Sequence, residues 1–268
     1  MAHNGAMTSA SPLWRVSAER LVVLGWSRAI LMQLAHPLVA TGVVSHSAYR
    51  GGSLQAAVRL HHTVGAMLSL TFGDEARRQA TLDRIRAIHR RVHGTLSDDA
   101  GIFPAGTRYS AEDPALLLWV HATLLDSSVE MYTRLVGPLG PDELDALCEE
   151  ATTTLVDLGG DPDTAPRTWA ALRAYLGDVE RRGTLHVVAP ARALARAILR
   201  PRAAGLPVPL SAAHERLTLG LLPPSIRALY GFAWDETSER RFERTLALVR
   251  TMRRVAPRQL AWWRDARA

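Results

Sequence analysis

Apolar residues recur three and four positions apart through residues 21–44, 54–72, 76–92, 114–135 and 142–158, a period that predicts helices with one buried face. Pro114, Pro141 and Pro166 stand where helices can begin, because proline's missing N–H is not needed in a first turn. Gly73, Gly94 and Gly159–Gly160 stand where those helices can stop. No sustained alternation of period two marks a strand pair. The pattern predicts an all-α fold, a multi-helix bundle.

Two stretches interrupt it. Residues 95–113 are polar, with Gly101, Pro104 and Gly106, and predict a long loop between two core helices. Residues 201–209 hold three prolines and Gly205, so an irregular connection over 200–210 should lead to the C-terminal helices. The expected organisation is a disordered N-terminus or tag remnant at 1–12, where Met7 is a second methionine, then a single helical domain over 13–268.

At the far end, residues 238–268 carry nine arginines against three acids and hold the whole formal charge of +6. Phe242, Leu246, Val249 and Met252 fall on one helical face, which predicts a surface helix packed by a single stripe. The other reading is attachment to an anionic membrane surface, helped by Trp262 and Trp263.

Composition narrows the chemistry. Cys148 is the only cysteine, so an intrachain disulfide and a cysteine-based metal or iron–sulfur site are excluded, and a cytoplasmic setting is the simpler expectation. Residues 1–12 lack the charged-then-apolar pattern of a secretory leader. The most apolar stretch, 29–44, is 16 residues long and contains Gln33, His36 and Pro37, which suits a buried helix better than a membrane span. No nucleic-acid partner is expected.

The ten histidines are then the strong nitrogen ligands available. From Arg20 to Gly73 the chain has no Asp or Glu, yet holds Arg20, Arg28, Arg50, Arg59, His36, His46, His61 and His62. Such a region lacks the carboxylates of a di-iron site and suits an anionic cofactor in an apolar cleft. Haem is such an object: a large apolar ring with two carboxylates that needs cationic partners and an axial nitrogen. Arg86, His89 and His93 share one face if their helix is unbroken, as do Arg59, His62 and Thr63. His121 follows Trp119 in an otherwise apolar run. A histidine on an apolar face is also often a hydrogen-bonded core residue, and these residues alone leave both readings standing. His36 before Pro37 is expected to be structural, satisfying backbone groups freed by a proline kink. His89 and His93 have the spacing for zinc, but the glutamate base of a zinc protease motif is missing.

In these same residues the sequence resembles the family of bacterial rubber oxygenases (latex-clearing proteins) and fungal MpaB-type oxygenases. The resemblance runs over roughly 31–176. It rests on His36-Pro37, Gly42-Val-Val-Ser-His46-Ser, Arg59-x-x-x-Thr63, Phe72-Gly73, His89-x-x-Val92, Tyr109-x-x-x-Asp113-Pro114 and Trp119-Val-His121-Ala122. It implies a globin-like bundle around haem b, with His89 matching the proximal ligand. By the same match, Arg59 and Thr63 are distal polar residues, His121 belongs to the haem pocket and Arg86 lies one turn before the ligand. His93 stands where an arginine is common. His62 replaces the family's distal lysine, as a second axial ligand or a proton shuttle. The glutamate proposed as base in polyisoprene cleavage has no counterpart in the acid-free stretch.

The activity implied is a haem-b-dependent oxidoreductase, an oxygenase acting with dioxygen or peroxide on a small apolar substrate. The alternatives are a haem-binding sensor or carrier without turnover, a histidine-ligated non-haem metalloprotein, or a helical interaction protein without a metal.

Overall fold

The computed structural model describes residues 11–46, 52–200 and 208–267, and for 52–61 and 208 the helical backbone alone. The segments 1–10 and 201–207, and the side chains of Arg59 and His61, lie outside the described residues.

The chain is all-helical apart from one short ribbon. The first helix, α1 (Pro12–Ala18), begins inside the predicted disordered terminus: Ser11 caps it by accepting from the Trp14 N–H at 3.1 Å. A 3-10 turn (Arg20–Gly25) leads to α2 (Trp26–Leu34) and α3 (Pro37–His46). The helical stretch expected over 21–44, with a proline kink at Pro37, is instead broken into separate elements, with a bend of 109° at the residues before Pro37. Next come α4 (Gly52–Phe72), α5 (Glu75–His89), α6 (Pro114–Leu135) and α7 (Pro141–Asp157). Helix α8 (Trp169–Arg181) starts three residues after Pro166, because Thr168 takes the cap and accepts from the Ala171 N–H at 3.1 Å. The remainder is α9 (Ala189–Leu199), α10 (Val208–Leu221), α11 (Pro224–Tyr230), α12 (Glu236–Val255) and α13 (Arg258–Ala261).

Helix α5 stops at His89 instead of running to Val92, and the chain enters β1 (His93–Thr95), antiparallel to β2 (Arg108–Ser110). The expected loop over 95–113 is therefore partly a ribbon. Its strands are three residues each, too short for a period-two pattern to appear in the sequence.

The centre of the molecule is α2 against α6. Leu31, Met32, Leu34, Trp119 and Ala122 are buried there, with Leu147 of α7, Leu172 of α8 and Ile226 of α11. An ion pair threads this core: Arg28 Nη2 meets Asp126 Oδ2 at 2.7 Å, Nη1 donates to Ser127 and Nε to the Leu221 carbonyl. The C-terminal helices dock on the same body. Tyr230 donates to the Leu31 carbonyl at 2.8 Å, and Gly220 of α10 leaves room for the Phe242 ring, which a Cβ would meet at 2.2 Å.

The predicted stripe of α12 holds for Phe242 and Leu246, with Val249 partly buried, but Met252 is exposed. Trp262 donates to Glu19 at 2.8 Å and the Arg20 guanidinium lies over the Trp263 ring, so both indoles are engaged within the chain. Among the described residues, no single helix is long and apolar enough to cross a membrane.

Candidate functional site

Helices α3, α4, α5 and α6 and the ribbon enclose a cavity of about 790 Å³. Its walls are mostly aliphatic: Leu38, Val39 and Val43 from α3, Ala66, Met67 and Leu70 from α4, Ile85 and Ile88 from α5, and Leu116, Leu117 and Val120 from α6. The polar lining consists of Gln33, His46, His62, Thr63, Arg84, His89, Tyr109 and Ser110. No carboxylate is among the described lining residues. Ile88 lines the cavity yet is 54% exposed, so the wall of α5 presents bare aliphatic surface to the opening.

Of the residues singled out in the sequence, His62, Thr63 and His89 come together on this cavity. His89 ends α5 and is half-buried, and its Nδ1 is buried without a hydrogen-bond partner. Burial lowers its pKa, with the Glu112 carboxylate acting more weakly in the opposite sense. Burial thus favours the neutral form, the one a metal ligand needs. No described residue supplies a hydrogen bond to Nδ1.

Arg86, His93 and His121 do not line the cavity. The cavity face of α5 is centred on Ile85 and Ile88, with His89 at its edge. At about 100° per residue Arg86 lies roughly 60° beyond that edge. Its guanidinium donates to the Asp157 carbonyl at the end of α7, with Nε at 2.8 Å, and pairs with Asp83. His93 cannot share a helical face with His89 because the helix has ended. It is an exposed residue of β1, and the expected i, i+4 zinc spacing is lost with the helix. His121 sits on α6 beside Val120, half-buried, with its pKa lowered to about 4 by burial. His36 packs its ring against Phe103 and Trp119 and leaves Nδ1 unpartnered, so it does not satisfy backbone groups at the bend. The Arg59 side chain lies outside the described residues.

Three lining residues went unassigned in the sequence. Arg84, exposed and in no ion pair with a described residue, is the cation that α5 brings to the cavity. Its signal was the i, i+4 relation to Ile88, which helix arithmetic offers once Ile88 is known to face the cavity. His46 and Tyr109 form the second feature. His46 Nε2 donates to the His93 carbonyl at 3.1 Å and lies 3.3 Å from the Tyr109 hydroxyl. A carbonyl only accepts, so Nε2 carries the proton and the tyrosine's own hydrogen points elsewhere. Tyr109 is buried while His46 is exposed, so the pair spans from the cavity wall to solvent.

Among the described residues, no three His, Cys, Asp or Glu side chains converge to hold a bare metal ion. An apolar slot with no carboxylate among its described residues, an imidazole whose Nδ1 has no described partner and a guanidinium in no described ion pair form a donor set that fits haem. The chain would contribute one axial nitrogen and a cation for the carboxylates.

Comparison with known proteins agrees with this geometry at the level of family. Residues 14–251 match the model described as "ER-bound oxygenase mpaB/B'/Rubber oxygenase, catalytic domain". An uncharacterized protein of Mycobacterium bovis and one of Mycobacterium tuberculosis are each 30% identical over 240 residues, covering 87% of this chain and 89% of theirs. No solved structure matches. With the family model covering most of its length, the chain belongs to the family of mpaB-type and rubber oxygenases and carries its oxygenase catalytic domain.

Proposed function

We propose that this oxygenase depends on haem b, with His89 as the iron ligand, and acts with dioxygen or a peroxide on a small apolar substrate. The observation that carries the reading is the His89 imidazole, its Nδ1 buried and without a described partner, in the wall of an aliphatic cavity lacking described carboxylates. Haem, when bound, supplies the iron at which the oxidant is activated.

Each other residue has a task in this reading. Arg84 would offer a guanidinium to the haem carboxylates, and charge-assisted hydrogen bonds of that kind fix orientation. His62 and Thr63, on the α4 wall, offer an imidazole and a hydroxyl to polarise the oxidant and move a proton. Tyr109, held beside His46, donates its hydroxyl hydrogen away from that ring. The aliphatic walls exclude water and admit an apolar substrate. The globin-like arrangement and a distal role for Arg59 are what the family resemblance adds. Cleavage of polyisoprene is not part of the proposal, since no carboxylate base lines the described cavity.

A second reading is a haem protein without turnover, favoured by one observation: His62 and His89 both line the cavity, and two imidazoles can saturate the iron. Titrating the purified apoprotein with haemin tests both. One equivalent should bind and give a Soret band that shifts rapidly on adding cyanide or peroxide. Saturable binding with no shift would favour the second reading, and no saturable binding would contradict both.

A further inference from the structure

Helix α12 has two apolar rows. Phe242, Leu246 and Val249 face inward. Leu248, Met252 and Val255, spaced i, i+4 and i+7, form a separate line that faces water: they are 61%, 60% and 79% exposed. Leu260 on α13 adds a fourth large apolar side chain, 65% exposed, just beyond the end of that line. Scattered exposed aliphatics are ordinary on a protein surface, whereas a continuous row marks a contact face.

The charges nearest the row along the helix are basic. Arg241 and Arg244 lie on the same line towards the start of α12, and Arg254 and Arg258 flank its end. All four are exposed and none makes a salt bridge with a described residue, while Arg258 also lies over the Trp262 ring at 4.8 Å. The carboxylates of this segment have partners of their own: Asp235 caps α12 through the Ser238 N–H, Glu236 pairs with Arg240, Glu239 accepts from Trp234, Glu243 lies towards Arg134 and Asp265 towards Arg77. A second copy of the chain docked on this face would set these arginines against their counterparts. A surface of phosphates over hydrocarbon matches both the charges and the row.

We propose that α12 and α13 rest in the plane of an anionic lipid bilayer surface. Leu248, Met252, Val255 and Leu260 reach the acyl boundary and the four arginines meet lipid phosphates. Trp262 and Trp263 take no part, being held by Glu19 and Arg20 inside the chain.

The test is co-sedimentation of the full chain with vesicles of phosphatidylcholine alone or mixed with phosphatidylglycerol. Binding to the mixed vesicles at low salt should weaken by about tenfold or more in the triple variant Leu248→Ser, Met252→Ser, Val255→Ser. It should weaken similarly in Arg244→Gln, Arg254→Gln, Arg258→Gln and on adding salt. Because these side chains are exposed, thermal melting should not move. No binding to mixed vesicles at low salt, equal binding to neutral vesicles, or binding unchanged in both variants would overturn the proposal. So would a wild-type dimer in gel filtration that the triple apolar variant loses.

Discussion

Gly94 and Tyr109 pair across the β1–β2 ribbon, and a methyl group on Gly94 would stand 2.7 Å from the tyrosine hydroxyl. The phenol fills the space that glycine leaves, and its ring is part of the cavity wall. Gly94→Ala should therefore push Tyr109 off its site and cost about 1–3 kcal/mol of stability. Tyr109→Phe keeps the ring and loses only a hydroxyl whose neighbour, His46, is bonded to a carbonyl, so about 1 kcal/mol is expected. Urea denaturation of both variants checks the order.

Arg84 and Arg86 stand two residues apart on α5 and should separate cleanly. Arg86→Ala removes the guanidinium that closes the end of α7 and should cost about 1 kcal/mol of stability with little change in haem affinity. Arg84→Ala should leave the denaturation midpoint in place and weaken haem binding by about tenfold, the worth of one charge-assisted hydrogen bond. The reverse pattern would restore the assignment made from sequence.

That pair also shows how far the sequence could be read. The helical period survives because core packing imposes it, so the all-α fold and most helices were legible. His62, Thr63 and His89 could be singled out together because they sit on helices that line one cavity, beside aliphatic neighbours. Arg86 and His93 leave the cavity for different reasons: His93 because α5 ends at His89 before reaching it, and Arg86 because the cavity-facing side of the helix is centred on Ile85 and Ile88. Arg84 was missed because which arginine faces a cavity depends on rotation about the helix axis, which only tertiary packing sets. The break at His36-Pro37 belongs to the same class, since a proline predicts an interruption but not a bend of 109°.

Asp126 is buried and pairs with two arginines, Arg28 in the core at 2.7 Å and Arg173, on the surface, at 2.6 Å. Asp126→Ala would leave the buried Arg28 charge uncompensated, at an expected cost of about 3–5 kcal/mol. Asp126→Asn should do less damage by keeping some of the hydrogen bonds. Chemical denaturation of the two variants measures the difference.

Acid should destabilise the fold before its carboxylates titrate. Burial lowers the pKa of His36 to about 4, from an ordinary 6.5. Between those values the unfolded chain is protonated and the native ring is not, so stability falls as pH drops through 6.5 and levels off near 4. The loss between pH 7 and pH 5 should be about 2 kcal/mol from His36, with a further share from His121. A His36→Asn variant should show a visibly flatter dependence; an unchanged slope would mean that His36 protonates freely in the native state.

The central claim is that His89 holds the iron of a bound haem. The most direct measurement is the absorption spectrum of wild-type protein and His89→Ala, each loaded with one equivalent of haemin and passed through a desalting column. The account predicts a retained Soret band in the wild type and its loss in the variant, with the helical circular dichroism of the two alike. A variant that keeps stoichiometric haem with the same Soret maximum would contradict it.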